Sequence, residues 1–149
     1  MDLIKEIIVE AYEPIRKQLS RMPAALEEGL GKISRHIQMG DQYVGLVGDT
    51  VVATMRVRLV GRVGVVSRVG VRQSFRGRRI GSMLIDYAEN LMKHMNASVI
   101  EVEIYGAVET QLDFYKKMGY HETGRMERLG EEIVVMQKSL LESDMELED

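Results

Sequence analysis

The 149-residue sequence predicts an α/β chain: one mixed, mainly antiparallel sheet with helices on both faces. Three observations predict it. Apolar spacing switches between helical and strand periods in the order helix, helix, three strands, helix, strand, helix, two strands. Two tight-turn signals, Gly48-Asp49 and Gly61-Arg62, join the middle strands into a meander. The third of those strands runs through a basic, glycine-bearing loop straight into an amphipathic helix.

Each element has its own reason. Asp2–Glu13 reads as a helix, with Leu3, Ile4, Ile7, Ile8, Ala11 and Tyr12 on one stripe, and Pro14 is expected to stop or bend it. A second helix is expected over Pro23–Gln38, carried by Leu26, Leu30, Ile33 and Ile37. Gly29 and Gly31 weaken its middle, and Gly40 suits its end. Strands follow at Gln42–Val47, Val51–Val60 and Val63–Val71. Gly64 and Gly70 are poor residues for a strand interior, and Gly70 is expected to mark a bulge or a close approach of ligand to backbone. The next helix carries Ile80, Met83, Leu84, Tyr87, Ala88, Leu91, Met92 and Met95 on its apolar stripe. Ser98–Tyr105 reads as a strand and Glu109–Met118 as a short helix closed by Gly119. Tyr120–Arg128 and Glu132–Gln137 read as a last hairpin. Residues 1–140 are expected to form a single domain. In the tail at 141–149, five of the eight residues Glu142–Asp149 are acidic, and disorder is expected there.

Composition narrows the classes. Apolar residues make up 45% and charged residues 29%, as in a globular protein with a real core. No apolar run approaches a membrane span, and the start M-D-L-I-K-E lacks a basic signal-peptide region, so a cytoplasmic protein without a membrane partner is expected. With no cysteine, disulfides, thiolate metal sites and a cysteine nucleophile are excluded. His36, His94 and His121 have no metal-ligand spacing, and no metal site is expected. Net charge is −3, yet Thr50–Ile85 holds eight arginines and no acid: Arg56, Arg58, Arg62, Arg68, Arg72, Arg76, Arg78 and Arg79. That stretch is expected to face an anion. Few aromatics are available for base stacking and no nucleic-acid motif appears, so a small polyanion is favoured over nucleic acid.

The anion site itself is legible in V-G-V-R-Q-S-F-R-G-R-R-I-G-S. A strand–loop–helix of this kind aims main-chain N–H groups at one point, where the helix dipole favours negative charge. The pattern is neither a G-x-x-x-x-G-K-[ST] loop nor a G-x-G-x-x-G fingerprint. It resembles motif A of the GNAT family of N-acetyltransferases, Gln/Arg-x-x-Gly-x-Gly/Ala, with Arg76 first and Gly81 last. Arg79 stands where the middle glycine would be. The resemblance implies acetyl-CoA as cosubstrate, held by Val69, Gly70, Val71, Arg76, Gly77, Arg78, Arg79, Ile80, Gly81 and Ser82.

A second segment, Leu112-Asp113-Phe114-Tyr115-Lys116-Lys117-Met118-Gly119-Tyr120, resembles the family's x-x-F-Y-x-K-x-G-F/Y stretch. The likeness covers most of Val63–Leu140 and weakens towards the N-terminus. It implies direct acetyl transfer to a primary amine of a small molecule or a peptide. The main-chain N–H of Val69 would hold the developing oxyanion, and Tyr115 would protonate the leaving thiolate. Tyr115 also reads as a core aromatic in line with Leu112 and Met118. The glutamate that many relatives carry before the loop is absent, since that stretch reads V-V-S-R-V-G-V. Glu103, with Glu101, is the substitute base by position, although both alternate with Val102 and Ile104 and read equally as solvated face charges.

The order of elements places an opening between the Val63–Val71 and Ser98–Tyr105 strands beside the loop, where strand ends meet a helix N-terminus. The resemblance implies a strand before the first helix, whereas the expected helix starts at residue 2, so either the fold is shortened or its start lies upstream. The bare sheet edge is then expected to be covered by a second copy in a homodimer or by upstream residues. Two other readings stay open: a CoA-binding regulatory module without catalysis, and a nucleic-acid-binding domain using the arginine face.

Overall fold

A computed structural model of the chain describes residues 2–20 and 22–141. In order, the elements are α1 (Asp2–Arg16), α2 (Ala24–Glu27), α3 (Leu30–Met39), β1 (Gln42–Val47), β2 (Thr50–Val60), β3 (Val63–Val71), a 3₁₀ turn at Gln73–Phe75, α4 (Ile80–His94), β4 (Val99–Tyr105), α5 (Glu109–Lys117), β5 (His121–Arg128) and β6 (Glu131–Ser139). The strands form one six-stranded sheet in the order β1-β2-β3-β4-β6-β5. β3 and β4 pair in parallel, whereas β1–β2, β4–β6 and β5–β6 pair antiparallel. This is the expected mixed α/β architecture. Glu142–Asp149 lies outside the described residues.

The described residues pack as two compact units, those within 2–57 with 67–85 and those within 58–66 with 86–141. In the first, Ile4 and Ile8 of α1 meet Ala25 and Ile33, with Tyr12 against them. The expected second helix is split. Glu28 is extended (φ −69°, ψ 125°) and Gly29 caps α3. Two polar pulls break it. The Glu28 side chain goes inward to Arg56, and Lys5 Nζ donates to the carbonyls of Leu26 and Glu28 at 2.9 and 2.6 Å. The break leaves Leu30 and Ile37 exposed. Pro14 does not stop α1, which runs one turn further to Arg16. Gly70 lies under this helix: a Cβ there would be 2.9 Å from Ala11 Cβ. The close approach at Gly70, expected from a ligand, is made instead by α1.

In the second unit, the parallel pairing covers Val63–Val66 against Val99–Val102. β4 then pairs with β6 along its full length, from Val99↔Ser139 to Tyr105↔Ile133. Ile100, Val102 and Ile104 are buried, while Glu103 between them is exposed, so the expected alternation is present. Gly64 is required by α4, because a Cβ there would collide with Met92. The apolar stripe of α4 needs correction. Its buried residues are Ile80, Leu84, Ile85, Ala88, Glu89 and Met92, whereas Met83, Tyr87 and Met95 are about half exposed. The buried face is therefore rotated relative to the expected one. A glutamate in the middle of the true face hid it from an apolar count.

Candidate functional site

The loop leading into α4 belongs to the first unit. Its shape depends on left-handed backbone at Gly77 (φ +81°) and at Arg79 (φ +62°). Arg79 thus keeps the glycine conformation at the position where a glycine was expected, with its side chain in solvent. A Cβ added at Gly77 meets nothing within 4 Å, so backbone conformation, not crowding, requires glycine there. The first bond of α4 runs from Met83 N–H to Arg79 C=O at 3.1 Å. The N–H groups of Ile80, Gly81 and Ser82 consequently have no helical acceptor. Among the described residues, no protein group accepts from them or from the N–H groups of Gly77, Arg78 and Arg79. Free donors, a helix dipole and open space coincide on one short segment.

The arginine-rich stretch is not one anion-facing surface. Arg56 is buried and places a fork on the two Glu28 oxygens, at 3.1 Å and 2.5 Å. Arg68 reaches the same carboxylate at 3.3 Å. Burial alone would raise the Glu28 carboxyl, but hydrogen bonding and charge from Arg56, then charge from Arg68 and Lys32, outweigh it and hold the group at about 2. Arg72 pairs with Glu6 and Glu10. Arg76 donates from Nε to the Val71 carbonyl and from Nη2 to the Glu10 carbonyl, both at 3.3 Å. Arg78 lies over the Phe75 ring, 4.9 Å from its centroid. Among the described residues, Arg78 and Arg79 have no ion-pair partner. These two are the loop cations left for a ligand. Val69 and Val71 are half-buried on β3, following Arg68, whose backbone is left-handed (φ +54°).

Tyr115 belongs to the second unit. It is buried on α5, with its ring edge-on to Tyr120 (centroids 5.4 Å apart) and to Phe114 (5.0 Å). Tyr120 is its buried neighbour, and the two could be confused as proton donors. The Tyr120 hydroxyl donates to Glu89 Oε2 at 2.9 Å, and the other Glu89 oxygen accepts from Lys138 Nζ at 3.0 Å. Burial first, then the Glu89 charge and hydrogen bond, push the Tyr120 phenol far above the ordinary range. Its proton is committed inside the protein.

Glu103 sits in a two-point ion pair: Arg128 Nη1 donates to Oε1 at 2.9 Å and Nη2 to Oε2 at 3.3 Å. Glu101 accepts from Gln137 Nε2 at 2.8 Å. The face-charge reading of these two acids describes what they do in this structure. Sequence reasoning did not single out Glu10, Glu28, Glu89 or Lys138. Only Glu89 had a local signal, a charge at i+4 from Ile85 and i−3 from Met92.

Comparison with known proteins follows the same lines. The sequence model described as "Acetyltransferase (GNAT) family" matches residues 4–120. A Bacillus subtilis (strain 168) protein provisionally named an acetyltransferase is 32% identical over 69 residues, a match spanning 46% of this chain and 45% of that protein. The chain thus matches under half the length of that relative. Among solved structures, PaiA N-acetyltransferase of Thermoplasma acidophilum, in complex with coenzyme A, superposes with a TM-score of 0.74 at 15% identity, covering 93% of this chain and 91% of that one. Ribosomal-protein-alanine N-acetyltransferase of Brucella melitensis gives 0.70 at 16% identity, covering 91% and 93%.

Proposed function

The chain belongs to the acetyltransferase (GNAT) family, and we propose that it transfers the acetyl group of acetyl-CoA to a primary amine of a small molecule or a peptide. The observation that carries this reading is the run of unpaired main-chain N–H groups from Gly77 to Ser82 at the start of α4. Those donors fit a diphosphate, and the space a Gly77 side chain would fill is open. The coenzyme A in the Thermoplasma structure supports the same ligand. Arg78 and Arg79 would offset phosphate charge at the rim. Bound acetyl-CoA supplies an acyl group already activated as a thioester, with a thiolate leaving group.

The remaining work falls to the chain. The main-chain N–H of Val69, which follows the left-handed backbone of Arg68 (φ +54°), is assigned to the acyl carbonyl oxygen. Tyr115 is assigned the proton for the departing sulfur. Tyr120 is unsuited to that role because its hydroxyl is held by Glu89. The amine must lose a proton as the C–N bond forms and the C–S bond breaks. Glu103 is assigned that proton only through water, since Arg128 occupies both its oxygens. The same ion pair favours the second reading, a module that binds CoA without catalysis.

One experiment separates these. CoA at a hundredfold excess over its dissociation constant should stabilise the fold by about 2.7 kcal/mol. Gly77→Glu, which strains the left-handed backbone and adds a charge facing the phosphates, should abolish that gain. A melting temperature indifferent to millimolar CoA refutes both readings. Stabilisation with no free-thiol release across a panel of amines leaves the non-catalytic one.

A further inference from the structure

The loop that precedes α4 is tied to one turn of α1, and the tie starts at a proline. Pro14 has no N–H, so the Glu10 carbonyl four residues earlier loses its helical donor. Arg76 Nη2 takes that place at 3.3 Å while its Nε holds the Val71 carbonyl. The Glu10 carboxylate accepts from Arg72 Nη1 at 3.1 Å and from the main-chain N–H of Gln73. Glu6 accepts from Arg72 Nη2 at 3.2 Å. The Gln73 bond, more than the pairing with Arg72, holds the Glu10 carboxyl below its ordinary range. Gly70 lets the helix close enough for all of this. Three loop groups, on Arg72, Gln73 and Arg76, therefore end on Glu6 and Glu10.

We propose that Glu10 and Arg76 are positioning residues for the CoA diphosphate: they brace the loop against α1 so that the Gly77–Ser82 N–H groups converge, and Arg76 does this without touching a phosphate. The inference rests on the reading that this loop holds CoA. It assigns Arg76, the leading residue of the motif, a role as a strut between two carbonyls. It also gives an acid a part in anion binding. As a bare charge, Glu10 repels a phosphate. Through its bonds, it sets the shape that receives one. The two effects have opposite signs, so a charge-neutral variant decides between them.

The test is calorimetric titration of CoA into the wild type, Glu10→Gln and Arg76→Lys, with melting temperatures measured alongside. Bracing predicts that Glu10→Gln binds CoA about tenfold more weakly, the scale of one or two lost charge-assisted bonds. Electrostatics alone predicts tighter binding. Arg76→Lys keeps the charge but loses the planar fork that spans two carbonyls, so it should weaken binding as much as Arg76→Ala. Unchanged or tighter binding by Glu10→Gln overturns the proposal, even with a lowered melting temperature. Wild-type affinity in Arg76→Lys also overturns it, since the planar fork would then be dispensable. If Glu10→Gln does not fold, the exposed Arg76 decides alone. A wild type that fails to bind CoA refutes the functional reading instead.

Discussion

Replacing Glu28 by glutamine keeps the shape of the side chain and removes its charge. Glu28 is 5% exposed and Arg56 4%. The guanidinium fork, Arg68 at 3.3 Å and Lys32 at 3.6 Å all converge on one carboxylate. Its carboxyl is held down from 4.5 to about 2, a drop worth about 3 kcal/mol of folding stability at neutral pH. The folded value is the lower one. The contribution is therefore complete above the unfolded value near 4.5 and is lost as pH falls from there towards about 2. A second route gives a similar size, since breaking a buried pair and leaving its guanidinium uncompensated costs about 3–5 kcal/mol. Urea unfolding followed by far-UV circular dichroism at pH 7, 5, 4 and 3 measures both. Glu28→Gln should lose about 3 kcal/mol at pH 7, and its curve should converge on the wild type as pH falls. A cost below about 1 kcal/mol, of the size of an exposed pair, refutes the buried-cluster argument, as would parallel pH curves. The same carboxylate holds Arg68 beside Val69, so the variant should also turn over more slowly.

Tyr115→Phe should lower kcat by about 10²–10⁴-fold while CoA affinity and fold survive, because the proton is needed only in the transition state. Full activity would make Tyr115 a core residue, and loss of CoA binding in parallel would make its hydroxyl a ligand contact. Tyr120→Phe in the Tyr115→Phe background should cost nothing further in kcat, since the Tyr120 proton is committed to Glu89; an additive loss would reassign the acid. Gly70→Ala should destabilise the fold by about 1–3 kcal/mol through overpacking, because its Cβ would lie 2.9 Å from Ala11 Cβ; an unchanged melting temperature would show that α1 yields there.

Much of the candidate site was readable because a loop that binds through main-chain N–H groups is encoded by glycine placement and by the helix that follows it. The bounds of β3 and the entry into α4 match what spacing alone predicts. The departure at Arg79 was readable as well, but its resolution was not. Whether an arginine can hold a left-handed backbone depends on the strain the rest of the loop can support. The rotated face of α4 escaped for a different reason. Apolar counting treats a glutamate as outward, and Glu89 is inward because Tyr120 and Lys138, far away in the chain, meet it there.

The sequence by itself determined the order of the strands along the chain, the turns that join the meander and the strand–loop–helix that leads into α4. All of these follow from local hydrogen bonding, backbone freedom and period. Only the tertiary structure decided where the charges went. Eight arginines in an acid-free stretch look alike along the chain. Arg56 is buried against Glu28, 28 positions away, and Arg72 reaches Glu10, 62 positions away. Ion pairs form between whatever the packed helices and strands bring within a few ångströms, and the energy that selects them comes from burial and geometry that no local window contains.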